Sequence, residues 1–578
     1  MSNTPTVTNQ QQDFSLLKVL NVLLYNNDGS RKRNITALIK EIVIIEDVFC
    51  NSMYGHINIK DAIDLLNGGP DYKDPNSFVI AGEEFIEIRF QSNYARQNKD
   101  PVVYKFAVYS ISDMVYKQNN IQKDYTLRFC STEQIIDATT VVMKAYSKQN
   151  SDNVKDLCRD YLNIDDGSGQ VSTSVPTSNT ASQPAQTTPA ATTKSPAPGT
   201  APVDQNTETQ TPAALPVIPF STQKKLALIQ PTKGMQKVVI PRLSPFQAAE
   251  FFARRSIGDD EQFSSGSFLF FENQVGYNFC DIEYLIKTGI DKLMSDADVR
   301  TDYTYYHENP LLNLNDPNYD AQREYKTIIR MNHLKYFDTI DKLKFGMYES
   351  DTIVYDYVNH KFTPRRFRFT NNNEKDNSKT WVLGKALDNE SFPENSSTFL
   401  NKVISKDDTS NKYTRKFFLP KTLDNQLPDT FLDDIYPSRA SYFTRLAQNM
   451  YQIHTYGDTS VRAGDVIVLN LPKGNARDTN LGDIDPRNSG FFLVGTIKHI
   501  LTHTSYVTVM DIYKNASNER ILSTSDAQTN FDDNKAPHMV NVNNAGQGTQ
   551  LTNAVPPADP TDPEQKNTPN DSPEMLKM

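Results

Sequence analysis

Strict two-residue alternation between apolar and polar side chains is the feature that most limits what this chain folds into. In Gly55-His56-Ile57-Asn58-Ile59-Lys60, Ile57 and Ile59 fall on one side of the pleat. In Ile86-Glu87-Ile88-Arg89-Phe90, the apolar residues fall on one side and Glu87 and Arg89 on the other. Such alternation marks strands with one wet face. Between the two runs, Asp61 to Leu66 has room for one helical turn, which Asn67-Gly68-Gly69-Pro70 would end. Nothing in this stretch is catalytic in type. It reads as sheet that builds a wall or an interface.

The same pattern recurs along the chain. Residues 16–28 read as a helix or a buried strand, and Ile35 to Phe49 as a strand. Val102 to Ile111 is a strand with Tyr104, Phe106 and Val108 on one side, and Leu127 and Phe129 mark another. Ser131 with Gln134 has capping-box spacing for a helix toward Tyr146, and Val154 to Leu162 is a second short helix. Ser244 is an N-cap, with Pro245 at the first helical position, where its missing N–H costs nothing. Phe246, Ala249, Phe252 and Ala253 share one face of that helix. Gly266 to Glu272 is a strand, and a helix starts over Ile282 to Ile286. Strands are expected over Lys344–Tyr348, Thr352–Asp356 and Phe367–Phe369, whereas 371–430 is polar and irregular. Ser438 to Tyr451 reads as an amphipathic helix with Tyr442, Leu446 and Met450 on one stripe. Alternation from Gln452 to Tyr456, a strand over Gly464–Pro472, and a β-pair of Gly490–Ile500 with Tyr506–Tyr513 follow. The two β-rich regions, roughly 15–115 and 452–515, could be a distant duplication.

Two segments cannot build a core. Gly167 to Pro216 holds eight prolines and no aromatic residue, and Ala527 to Met578 is polar and proline-rich with no aromatic after Phe531. Neither buries enough apolar surface to offset chain entropy, so both are expected to be disordered. The rest, within a 578-residue chain, is enough for several domains. Its aromatics are chiefly Phe (30) and Tyr (28), which favours sheets over helix bundles.

A net charge of −10 argues against a sequence-independent nucleic-acid binder, which needs a basic surface. The densest basic spots, Arg365-Arg366 with Arg368 and Arg254-Arg255, are expected to be solvated faces or subunit contacts. Cys50, Cys130, Cys158 and Cys280 are scattered without zinc-ligand spacing and suit a reducing cytoplasm. The polar N-terminus lacks a secretory design, and the most apolar run, Ile42–Ile45, is far too short to span a bilayer.

Four segments in order resemble the central baseplate hub proteins of contractile-tailed bacteriophages. They are Met53 to Phe90, with its strand, DAIDLL turn and GEEFIEIRF; Val239-Ile240-Pro241 through SPFQA to the FLFFE and GYNF runs ending at Phe279; Gly346 to Asp356; and Arg439 to Tyr513, with AGDVIVLNLP and SGFFLVGTIKHI. The match spans about two-thirds of the chain. The Gly167–Pro216 insertion and the long C-terminal tail depart from the pattern. The resemblance implies an α+β, β-rich fold with two tube-like antiparallel β-barrel domains and intervening mixed α/β domains. The expected layout is a first tube-like barrel over 15–115, a mixed domain over 116–165 and 220–300 interrupted by the 166–219 linker, and a mixed domain over 301–435. A helix and second tube-like barrel over 436–525 and the 526–578 tail complete it. It further implies a homotrimer forming a pseudo-hexameric ring that joins the sixfold tail tube to the threefold central spike and lets DNA pass. Implied partners are the chain itself, the spike below, tail tube or tube-initiator proteins above, baseplate wedge proteins, the tape measure protein and genomic DNA in transit. The place is the virion baseplate, assembled in the host cytoplasm, with no integral membrane segment.

No catalytic signature accompanies it: P-loop, GxGxxG, HExxH and GxSxG are all missing from the sequence. His499 and His503 on a strand would lie about 13 Å apart, too far for one metal, and read as surface or interface histidines. Asp483, Asp485 and Asn488 faintly echo a calcium loop but lack its Gly and its final Glu, so a turn is expected. Glu83, Glu84 and Glu87 fall on opposite faces of a strand without cleft-forming aromatics, against a glycosidase pair; a solvated or inter-subunit role is expected. Tyr303, Tyr305 and Tyr306 read as packing. No catalytic, cofactor-binding or metal residue is expected. The competing readings are a tail-associated cell-wall hydrolase or its adapter, and a host-binding tail adhesin.

Overall fold

A computed structural model describes residues 16–27, 29–69, 79–92, 101–117, 122–165, 224–260, 265–307, 324–335, 338–347, 349–368, 385–386, 415–420, 431–447, 449–472, 485, 488–514 and 516–517. The alternating segments become strands. β1 (Leu17–Tyr25), β2 (Lys32–Asn34), β3 (Ile39–Asp47), β4 (Tyr54–Asp61), β5 (Phe85–Ser92), β6 (Val102–Tyr116) and β7 (Lys123–Cys130) pair in the order β3-β4-β7-β6-β5-β1-β2. The helix-or-strand ambiguity at 16–28 resolves as strand, with Val22 and Leu24 fully buried. The turn expected between β4 and β5 is a single 3₁₀ turn, Leu65–Asn67. The inward phase of each strand, including Ile57, Ile59, Ile88, Phe90, Phe106 and Phe129, makes one apolar core. β7 pairs with β4 and β6, so this half of the sheet runs past residue 115.

A mixed region follows: α1 (Thr132–Thr139), β8 (Ala145–Tyr146), α2 (Asn150–Tyr161), β9 (Leu226–Ile229), β10 (Val238–Val239), α3 (Pro245–Ala253), β11 (Phe268–Asn273) and β12 (Gly276–Asp281). Around α3 the capping box forms as expected, Gln247 N–H donating to Ser244 Oγ and the Gln247 amide oxygen accepting from Ser244 N–H. Phe246, Ala249, Phe252 and Ala253 are all buried, against β11 and β12. The capping box expected at Ser131 does not form. Ser131 Oγ donates to Glu272 at 2.6 Å, and the Gln134 side chain accepts from Ser52 Oγ at 2.8 Å. A buried carboxylate is a stronger acceptor than a neutral one and takes the hydroxyl.

Next come α4 (Ile282–Ser295), α5 (Ala297–Asp302), β13 (Thr304–Tyr306), β14 (Ile328–Lys335), α6 (Thr339–Lys344), β15 (Glu349–Asp356), β16 (Lys361–Arg368), β17 (Lys385–Ala386), β18 (Arg415–Pro420), α7 (Leu432–Leu446), β19 (Asn449–Tyr456), β20 (Val466–Asn470), β21 (Gly490–Thr502), β22 (Tyr506–Lys514) and β23 (Ala516–Ser517). The strand expected from Lys344 is instead the end of α6, which Asp338 caps by accepting from Asp341 N–H at 3.0 Å. The helix expected over Ser438–Tyr451 starts and ends earlier, with Pro437 inside it. Tyr442 and Leu446 are buried as expected, but Met450 lies on β19, where pairing with β14 and β22 overrides the helical stripe. The expected disordered segments, 166–219 and 526–578, lie outside the described residues. All described residues belong to one unit, Met1–Ile521.

β13 and β14 precede residue 436 yet join the C-terminal strands, in the order β14-β19-β22-β21-β20-β13, antiparallel but for β13 with β20. Antiparallel pairing of β21 with β3 fuses both halves into one thirteen-stranded sheet. The second half also returns on itself, and the start of the first half reaches the β21–β22 turn. Tyr306 bridges Thr327 beside β14, and Leu16 bridges Ser505, with Leu17 N–H donating to Thr504 O at 3.2 Å.

Gly457, just after β19, lies against the buried Tyr506 ring; a Cβ there would stand 2.0 Å from the ring. Overpacking of this kind costs about 1–3 kcal/mol. Gly457→Ala is therefore expected to lower the urea midpoint by a corresponding amount, whereas Met143→Ala at an exposed site should leave it within about 0.5 kcal/mol of wild type.

Candidate assembly interface

The junction between the two halves is built from paired backbone and a few buried charges. Seven residue pairs, from Thr496 opposite Asp47 to Thr502 opposite Glu41, form the β21–β3 ladder. Val48 N–H donates to Gly495 O at 3.0 Å and extends it. Glu46 sits in the inward phase of β3, in step with Ile42 and Ile44, and is fully buried. Its carboxylate accepts from Tyr104 Oη at 3.0 Å and from Ala463 N–H at 3.3 Å, so it links the first half to the loop before β20. Burial pushes this carboxyl up to about 7, against the pull of its two donors.

Two more buried acids tie neighbouring elements. Glu272, the last inward residue of Phe268-Leu269-Phe270-Phe271-Glu272, accepts from Met53 N–H at 2.9 Å and from Ser131 Oγ, and pairs with Lys224. Asp458 accepts from Tyr305 Oη at 2.6 Å and pairs with buried Lys326. Burial alone would raise the Asp458 carboxyl, but the Lys326 ammonium and the hydroxyls around it hold it below its ordinary range. Lys514, the last inward residue of β22, donates to Ser489 O, and burial pushes its ammonium down to about 8. Each of these residues is satisfied by fixed protein groups, an arrangement that orders strands and loops.

The residues singled out in the sequence do not converge. His499 is buried, which corrects the surface expectation: its Nδ1 shares a 2.7 Å hydrogen bond with Tyr506 Oη, beside the rings of Phe90 and Tyr104. His503 is exposed in the following turn. Glu84 is buried, not solvated; it accepts from the N–H groups of Ala81 and Gly82, which its turn would otherwise orphan. On the other face Glu83 is exposed and Glu87 half-buried. Tyr303 and Tyr305 are packed, with Tyr303 Oη donating to Ser460 O at 3.1 Å. Asp485 and Asn488 bond each other in a turn, and Asp483 lies outside the described residues. Arg365 pairs with Asp433, Arg366 with Asp351, and Arg254 with Glu250, while Arg255 stacks on Phe251. Cys50, Cys130, Cys158 and Cys280 are free thiols. Among the described residues, no group of three or more His, Cys, Asp or Glu is placed to hold a metal, and no helix is long and apolar enough to cross a membrane.

Sequence reasoning missed Glu46, Glu272 and Lys514. All three share a readable signal: a charged residue in phase with the buried side of an apolar strand, at or near its end.

No protein-family model matches the chain, and neither does any curated protein. Among solved structures, it is similar to phage and prophage tail proteins and to a secretion-system protein. The tail protein from Neisseria meningitidis MC58 is 9% identical at a TM-score of 0.41, covering 87% of this chain and 99% of that one. The 43 kDa tail protein of prophage MuSo2 from Shewanella oneidensis is 7% identical at a TM-score of 0.41, covering 86% of this chain and all of that one. The Francisella PdpA–VgrG complex, half-lidded, is 9% identical at a TM-score of 0.35, covering 88% of this chain and 60% of that one.

Burial holds the His499 imidazole down at about 4, against about 6.5 for a free histidine. The folded state thus disfavours the proton. The stability that neutral His499 contributes is complete above about pH 6.5 and is lost as pH falls toward 4, about 3 kcal/mol in all. Glu46, raised to about 7, runs the other way, losing its contribution as pH rises from about 4.5. The stability difference between wild type and His499→Gln, from urea unfolding, is expected to narrow by about 3 kcal/mol between pH 7 and pH 4. A difference that stays constant over that range contradicts the assignment.

Proposed function

We propose that this chain is the structural hub of a contractile phage-tail baseplate. Each half of the sheet is read as a tube-like β-barrel, the second closed by the Tyr306–Thr327 bridge and the first completed against the second, where Leu16 bridges Ser505 in the β21–β22 turn. The observation that carries the reading is the matched strand order, β3-β4-β7-β6-β5-β1 in one half and β14-β19-β22-β21-β20-β13 in the other. Two equivalent units side by side in one chain give six around a threefold axis when three chains assemble. Such a ring presents sixfold symmetry to a tail tube on one face and threefold symmetry to a spike on the other. Heterologous contacts that close produce a ring with a lumen, which isologous dimers do not.

In this account the first barrel spans 15–115 extended through β7, and the second spans 436–525 together with β13 and β14. The mixed elements of 116–165 and 220–300, and of 301–435, decorate the ring, and 166–219 and 526–578 serve as tether and tail. The chain works without turnover, in the virion, among the spike, tube or tube-initiator, wedge and tape measure proteins, with DNA in transit through the lumen. Three buried acids support this: Glu272, Glu46 and Asp458 each hold a backbone or side-chain donor of another element.

Light scattering on the purified chain is expected to give three times its 65.4 kDa mass, with ring-shaped particles in negative stain. A peptidoglycan-clearing assay on the same fraction is expected to be blank. A monomer that stays monomeric when a candidate spike protein is added would sink the hub reading, and clearing activity would favour the cell-wall hydrolase.

A further inference from the structure

The two halves also share the position of one bulge. β6 pairs with β5 over Val102–Ala107, then shifts register against β7 between Val108 and Ser110. β21 pairs with β20 over Gly490–Leu493, then shifts register against β22 between Val494 and Thr496. Tyr109 and Gly495 thus occupy the same place. A bulge placed alike in paired strands is a designed bend and not an accident of packing.

Past its bulge, β21 turns its outer edge to β3 and makes the ladder that joins the halves. Past its own bulge, β6 continues to Tyr116 with β7 on one side and no described strand on the other, shifting register a second time between Ser112 and Val115, where β21 does not. This arm leaves apolar side chains in water, Val115 at 57% and Tyr116 at 58% exposure. The equivalent of β3 is β14, since β14 pairs with β19 as β3 does with β4. Beyond the Thr327 bridge, the outer side of β14 likewise has no strand partner among the described residues, and Ile329 and Leu334 are 52% and 49% exposed. One molecule therefore carries two open edges of about equal length, one on each half. They are the two strands whose equivalents already pair inside the chain. Long open edges with apolar side chains are not left unpaired in a stable assembly.

We propose that Tyr109–Tyr116 of one copy adds as an antiparallel strand to the outer edge of β14, Ile328–Lys335, of a second copy, repeating between chains the β21–β3 ladder within a chain. The inference rests on the ring proposed above and specifies its interface. The register follows from the known one. Inside the chain, Lys498 lies opposite Ile45, which leads through Tyr54 on β4 to Cys130 on β7. Aligning the bulges sets Ser112 in the place of Lys498, and Tyr513 in that of Cys130. Tyr513 leads through Met450 to Lys335. Ser112 of one copy thus falls opposite Lys335 of the next. Charge does not carry the pairing: Asp113 on the arm already pairs with Arg128 at 3.8 Å, and Lys335 on the β14 edge with Asp341 at 3.1 Å, so the pairing rests on the open edges and the register.

Opposed residues of an antiparallel pair have Cα atoms about 4.5–5.5 Å apart, within disulfide reach. The test is a Ser112→Cys/Lys335→Cys double variant, oxidised gently, sized by light scattering and run on non-reducing gels beside both single variants and wild type. Trimeric mass with covalent dimer and trimer bands in the double variant alone is the expected result. Trimeric mass with only monomer bands would overturn the interface while leaving the ring intact. Equal linking in either single variant would also overturn it, since that requires like residues to meet. Monomeric mass for wild type and variants alike, persisting when a candidate spike protein is added, would overturn the ring and the interface together.

Discussion

The ladder between β21 and β3 is the interaction on which the rest depends. An open strand edge presents N–H and C=O groups that must be satisfied, by water or by another strand. By pairing β21 with β3, the chain turns two series of strands distant in sequence into one continuous sheet. The ladder also fixes the relative position of the halves residue by residue, because a slip of one place would turn every inward side chain outward. The proposed hub extends this reasoning: what one junction does inside the chain, a second does between chains.

The buried charges serve the same geometry. Glu46 holds Ala463 N–H and Tyr104, Glu272 holds Met53 N–H and Ser131, and Asp458 holds Tyr305 and Lys326. Each contact joins residues far apart in sequence. A carboxylate placed in an apolar interior is costly unless its partners are in position, so these acids penalise any arrangement that leaves them unmatched. They act as registration points where strand meets loop. This accounts for the shifts at Glu46 and His499, where burial is the largest cause.

Much of the sheet could be read from two-residue alternation, because a half-buried strand writes its own pattern. Ile57 and Ile59, and Ile86, Ile88 and Phe90, point inward as their spacing requires. The Ser244–Pro245 start of α3 was equally readable, since a cap is a local interaction. What the sequence hid was non-local. β7 pairs with β4 as well as with its neighbour β6, and β13 and β14 pair with β20 and β19, more than a hundred residues on. Met450 continues a helical stripe in sequence but belongs to β19, where two neighbours capture it. The Ser131 cap was lost to Glu272, more than a hundred residues away. The likeness of the two halves was only suspected from two β-rich regions, because it resides in pairing order, which leaves no repeat of residue types.

The central claim is that three copies close a ring whose wall is a single sheet. An electron cryo-microscopy reconstruction of the purified chain, alone or with its spike, tests that most directly. The account predicts a threefold particle with six strand circuits around an open lumen and continuous strand pairing across every boundary. Copies with residues 109–116 and 328–335 both facing solvent, or an assembly with no lumen, would contradict it.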